Sequence, residues 1–161
     1  MSDEEKVIET EKYLIFYIGR ELYGTPLLEV REVVEAQNIK PIPNVKSHFL
    51  GVTNLRGQIV GIVDLNILFN VQPNQDKSLR SFIVFDTEAG QIGASVDKVL
   101  SVEDLSEKDI EPGKIVGSKV PSQYFYGIAK QKDRLINLIK LRELLSDEEI
   151  ESYRHSKFAG K

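Results

Sequence analysis

Few residues in this chain of 161 have the types needed to make or break bonds. It holds two histidines, His48 and His155, and no cysteine. Thiolate nucleophiles, disulfides, Cys-ligated zinc and iron–sulfur clusters are thereby excluded, and two imidazoles are too few for a His-built metal site. Gly93-Ala94-Ser95-Val96-Asp97 lacks the closing glycine of a nucleophile elbow, and Gly113-Lys114 lacks the glycine spacing of a phosphate loop. The carboxylates that could serve as a base are Asp64, after Ile62-Val63, and Glu32. Asp is also a favoured N-cap, and Asp64 reads as the cap of a short helix over Leu65–Phe69. His48, within Ser47-His48-Phe49, reads as a surface loop residue. No catalysis, metal or cofactor is expected.

Charge narrows the partners. Lys and Arg total 21 against 25 Asp and Glu, a formal net charge of -4, where a nucleic-acid binder would carry a basic stripe. A barrel that binds single strands needs stacking aromatics beside cations. Tyr124, Phe125 and Tyr126 with Lys130 and Lys132 are the best candidates, yet Phe125 alternates with its neighbours as a strand core residue does. No apolar run approaches the ~20 residues that span a bilayer. The acidic start Met1–Lys6 lacks the layout of a signal peptide. The expectation is a cytoplasmic protein that contacts neither nucleic acid nor the membrane interior.

The elements that position these residues come in two sets. Tyr13–Ile18 is aromatic and β-branched, Gly19-Arg20-Glu21 is a turn, and Leu22–Leu27 returns, so a hairpin is predicted. Residues 28–36 have partial three-and-four spacing and read as a short helix or irregular turn. Sliding the chain by 69 lays Tyr13, Ile15, Gly24 and Val30 over Phe82, Val84, Gly93 and Val99. Sliding it by 76 lays Gly51, Val60, Ile62 and Leu65 over Gly127, Ile136, Leu138 and Leu141. Self-similarity of this kind marks repeated units. The predicted fold is all-β with short helices: two fused five-stranded antiparallel barrels, at 12–79 and 80–145. A frayed tail over 1–11 precedes them, and a helix and tail over 146–161 follow, with Ser146 and Glu149 as a capping box.

Where two copies differ, one has acquired work. Asn54-Leu55-Arg56-Gly57-Gln58 faces Lys130-Gln131-Lys132-Asp133-Arg134 across the repeat. Both are turns, with Gly57 and Asp133 suited to positive φ. Arg56 carries a planar fork able to grip a carboxylate or carbonyls; it is a docking group, an exposed turn cation, or the partner of an internal acid. Val30 and Val99 read as core residues.

Gly51-Val52-Thr53-Asn54-Leu55-Arg56-Gly57 followed by Ile59–Leu65 resembles the signature of the CheW-type chemotaxis coupling proteins. Tyr23-Gly24, Val30–Val33, Ile42-Pro43-Asn44, Gly93–Asp97 and Tyr124–Gly127 agree in order, so the likeness runs from about Tyr13 to Leu145. Gly61 departs from the family, which commonly has Pro there. The resemblance implies SH3-like barrels and a non-enzymatic adaptor linking chemoreceptor cytoplasmic tips to the regulatory domain of a CheA-type histidine kinase. It implies a receptor-facing groove of Val30, Glu32, Arg56, Val99 and Val102. It also implies kinase-facing positions at Gly51, Glu111 and Val116. Which receptor and kinase are cognate, and whether the output is flagella, pili or another, is left open.

Overall fold

A computed structural model describes residues 10–74, 76–112, 123–145 and 149. Apart from Glu149, the expected C-terminal helix lies outside these residues, as does Val116. The described residues hold eleven strands: β1 (Thr10–Ile18), β2 (Glu21–Pro26), β3 (Glu32–Glu35), β4 (Phe49–Leu55), β5 (Gln58–Asp64), β6 (Ser81–Thr87), β7 (Gly90–Val96), β8 (Lys98–Ser106), β9 (Ile110–Pro112), β10 (Phe125–Gln131) and β11 (Arg134–Ile139). One α-helical turn, α1 (Leu65–Leu68), is capped by Asp64, whose carboxylate accepts from the amides of Asn66 and Ile67. The cap role expected for Asp64 is therefore the one it plays. One expectation is corrected locally: β1 begins at Thr10, two residues inside the expected tail. Of the short helix or irregular turn open for 28–36, the chain takes a 3-10 turn over Leu27–Glu29 and then β3.

The strands form two sheets, in the orders β8-β1-β2-β11-β10-β9 and β3-β6-β7-β5-β4. The repeat is visible in them. Replacing each strand of the second sheet by its copy along the sequence reproduces the order of the first. The parallel pairing of Gly24 with Leu138 reappears as that of Gly93 with Ile62. The sixth strand, β9, pairs Glu111 with Ile128, and its counterpart is a single bridge between Lys40 and Val52. The division at residue 80 is a correction: β1–β2 joins the sheet of the second half, and β6–β7 joins that of the first. The halves exchange hairpins, and alternation along a strand specifies its faces without naming the neighbour it pairs with.

The exchange explains the unbroken apolar runs Tyr13–Ile18 in β1 and Phe82–Phe85 in β6. Tyr13 and Ile15 point into one barrel, with Leu105, Ile136 and Leu138. Phe82 and Val84 point into the other, with Leu55, Val60 and Ile62. Leu14, Phe16 and Ile18 join Ile83 and Phe85 in a third core between the sheets. Strands buried on both faces lose polar alternation. Each sheet curls until its edges meet: β8 passes through a turn at 107–109 straight into β9, and Lys40 reaches β4 five residues after β3 ends.

Candidate docking site

The β4–β5 hairpin turns in two residues, Arg56 and Gly57, between the paired Leu55 and Gln58. Both take positive φ, +51° and +83°, as the tight hairpin turn matching strand twist requires. The amide of Gly57 donates to Asn54 Oδ1 at 2.8 Å and locks the turn. In the second hairpin it is Lys132, at φ +55°, that takes this conformation, rather than Asp133. A bulky residue in this region is held at a cost of about 1–3 kcal/mol, which the tight turn demands in both hairpins.

From that turn the Arg56 guanidinium reaches across the barrel mouth and donates to Glu32 on β3. Arg56 remains 74% exposed while Glu32 is 25% exposed, so most of the guanidinium fork faces solvent. Of the readings open to Arg56, internal pairing is thus realised without burial. Beside it, Arg31 meets Asp86 at 3.3 Å and Gln91 donates to Gln58 at 2.8 Å, which completes a polar rim.

Val30 follows the 3-10 turn, its amide bonded to the Leu27 carbonyl. Val99 lies opposite Phe16 on β8. Both are half-buried against the core between the sheets, as a seam lining should be. Val102, also on β8, is 49% exposed and, with Leu100, forms an outward apolar strip. Val30, Glu32 and Arg56 thus sit together at the five-stranded barrel, while Val99 and Val102 come from the edge of the other sheet.

The kinase-facing candidates fall at equivalent places in different barrels. Gly51 is buried at φ +142°, and a Cβ there would overlap the Lys40 carbonyl oxygen. Its copy Gly127 lies under the Glu111 carbonyl, 2.9 Å from where a Cβ would stand. Gly51 therefore has a structural duty: it lets the crossing strand approach. Glu111 is exposed on β9 and meets Lys130 at 2.8 Å.

One further expectation is corrected. His48 is no exposed loop residue; its ring pairs with Glu149, both side chains nearly buried (12% and 13% exposed). Tyr124 and Phe125 are buried, at 6% and 8%, as the core-strand reading of Phe125 expects, and offer no stacking platform for bases. Asp97 was missed. This carboxylate, 1% exposed, ion-pairs with Arg80 at 3.0 Å. An acid placed directly after the buried run Ile92–Val96 was its sequence signal, since a charge carried into the interior needs partners.

A model of the CheW-like domain matches residues 12–149. The chain belongs to the CheW-like family. Chemotaxis protein CheW of Klebsiella aerogenes is 32% identical over 87% of this chain and 84% of its own length. CheW of Treponema pallidum is 26% identical over 89% and 86%, and protein FrzA of Myxococcus xanthus 27% identical over 84% and 85%. The solved scaffolding protein TtCheW of Thermoanaerobacter tengcongensis superposes with a TM-score of 0.79 at 30% identity, covering 88% of this chain and 91% of that one. CheW-like proteins are chemotaxis scaffolds and not enzymes, in keeping with a site built for contact. Among the described residues no helix is long and apolar enough to cross a membrane.

Proposed function

We propose that this scaffold couples the cytoplasmic tips of chemoreceptors to the regulatory domain of a CheA-type histidine kinase, beneath receptor arrays at the inner membrane face. The observation that carries this reading is the Arg56–Glu32 pair, held out from a strained turn beside half-buried Val30. An aliphatic side chain from a receptor tip would settle on Val30 and Val99, and the exposed part of the guanidinium would fix its register. Such rim charges govern orientation and encounter more than affinity. The kinase domain would pack on the barrel edges near Gly51 and Glu111, a matching of like folds. Patches of ~600–800 Å² imply contacts of micromolar strength, and repetition in an array raises avidity.

The test is capture of purified receptor-tip fragment and kinase regulatory domain by the immobilised full chain, singly and together. The reading expects both to be retained at once. Retention of neither, or mutual exclusion, overturns it.

A further inference from the structure

Asp97 stands between β7 and β8, where the chain leaves one sheet for the other. Its backbone amide donates to the Tyr17 carbonyl on β1 at 3.1 Å. Its Oδ2 accepts from the Gly19 amide in the β1–β2 turn and from Asn66 Nδ2 on α1 at 2.8 Å. Its Oδ1 accepts from the Asn74 amide at 2.8 Å and from Arg80 Nη1 at 3.0 Å. Arg80 is itself fixed, with Nη2 on Ser95 Oγ at 2.8 Å and 3.6 Å from Asp64 Oδ1. Asp97 thereby holds the six-stranded sheet through its backbone amide at Tyr17 and its carboxylate at Gly19, and the same carboxylate grips the five-stranded barrel through Asn66 and Arg80.

None of these residues belongs to either barrel's interior cluster. Each barrel keeps its own core without the clamp, and the apolar core between the sheets holds them together. Apolar contact is non-directional; charge-assisted hydrogen bonds fix geometry as well. The matching place in the passage from β2 to β3 holds Leu28, 91% exposed, so Asp97 has no copy in the repeat. Val99 follows Asp97 by two residues on β8, with its side chain on the core between the sheets.

We infer that Asp97 is a positioning residue: it sets the angle between the two barrels and with it the shape of the seam at Val30 and Val99. The link to receptor docking rests on the function proposed above; the orientation itself does not. The absence of cysteine allows nitroxide labels to be placed cleanly at Glu88→Cys, in the β6–β7 turn, and Asp133→Cys, in the β10–β11 turn. The label-to-label distance distribution in the full chain should broaden about twofold in Asp97→Ala, as a single orientation becomes several. Asp97→Asn, the milder change, should broaden it less. Val60→Ala, which loosens one barrel core without touching the clamp, should leave it narrow. Equal widths in Asp97→Asn and Val60→Ala at matched unfolding temperature overturn the inference, even if Asp97→Ala fails to fold. Receptor-tip affinity measured on Asp97→Asn should fall about fivefold through lost preorganisation. Broadening with unchanged affinity would leave the clamp standing and remove the seam from the receptor site.

Discussion

Both barrels tie an arginine to a glutamate on matching strands, β3 and β8, but the two pairs are built for different ends. Arg134 lies on β11 and grips Glu103 through two hydrogen bonds, one of 3.1 Å, while also donating to Gln131. Glu103 in turn accepts from Ser101 at 2.6 Å. Arg134 is 35% exposed, with both terminal nitrogens of its fork employed internally. Arg56 makes one bond from the tip of a turn and is 74% exposed. The first pair is a staple and the second is a held-out hand. Duplication supplied two equivalent mouths: at one the exposed guanidinium of Arg56 is tethered to the acid on β3, and at the other Arg134 is stapled to Glu103 while Lys132, the copy of Arg56, stands exposed at its turn.

The sharpest way to break this division of labour begins at the glycines beneath the crossing strands. Gly51→Ala should destabilise by about 3 kcal/mol, since both φ and the Lys40 carbonyl forbid a side chain. Gly127→Ala, with ordinary φ and a gentler approach, should cost about 1 kcal/mol. Chemical denaturation of both checks it; equal losses would mean the barrels are strained alike. Next in size, Arg134→Glu places a second carboxylate against Glu103 and should cost about 1–2 kcal/mol, whereas Arg56→Glu should change unfolding by less than about 1 kcal/mol.

The smallest effect separates two carboxylates by pH. The hydrogen bond from Arg134 holds Glu103 below the usual carboxylate range. Its stabilisation is present at neutral pH and is lost as pH falls through that depressed value. Glu103→Gln should therefore lower the unfolding temperature slightly at neutral pH and match the parent in acid. Glu29 is pushed up by burial, with Arg142 opposing, and one of its oxygens is buried without a partner. Its ionisation works against folding, so Glu29→Gln should raise the unfolding temperature at neutral pH. That gain should close as pH falls below the ordinary value of 4.5. Parallel melts across pH check both signs.

The repeat, the hairpins and the Asp64 cap were legible because each is written locally, in alternation, turn residues and capping chemistry. The exchange of hairpins was not, since Tyr13–Ile18 reads the same whichever half it joins. Arg56 stood out because its copy in the repeat is lysine. The family resemblance placed Glu32 in the same groove as Arg56, but that the two pair was not legible, because the approach depends on the curl that brings β3 to the β4–β5 turn. Asp97 and the His48–Glu149 pair escaped for one reason: their partners lie 17 to 101 residues away, beyond any local pattern. Gly51 was singled out as a contact residue, and the crossing Lys40 backbone that explains it is a tertiary fact.

The most direct measurement is co-sedimentation of the full chain with receptor cytoplasmic fragments, run on Arg56→Glu beside Arg134→Glu, each with its own unfolding curve. The account predicts that Arg56→Glu melts like the parent and no longer sediments with receptor, while Arg134→Glu loses stability and still sediments whenever folded. Undiminished binding by folded Arg56→Glu would contradict it.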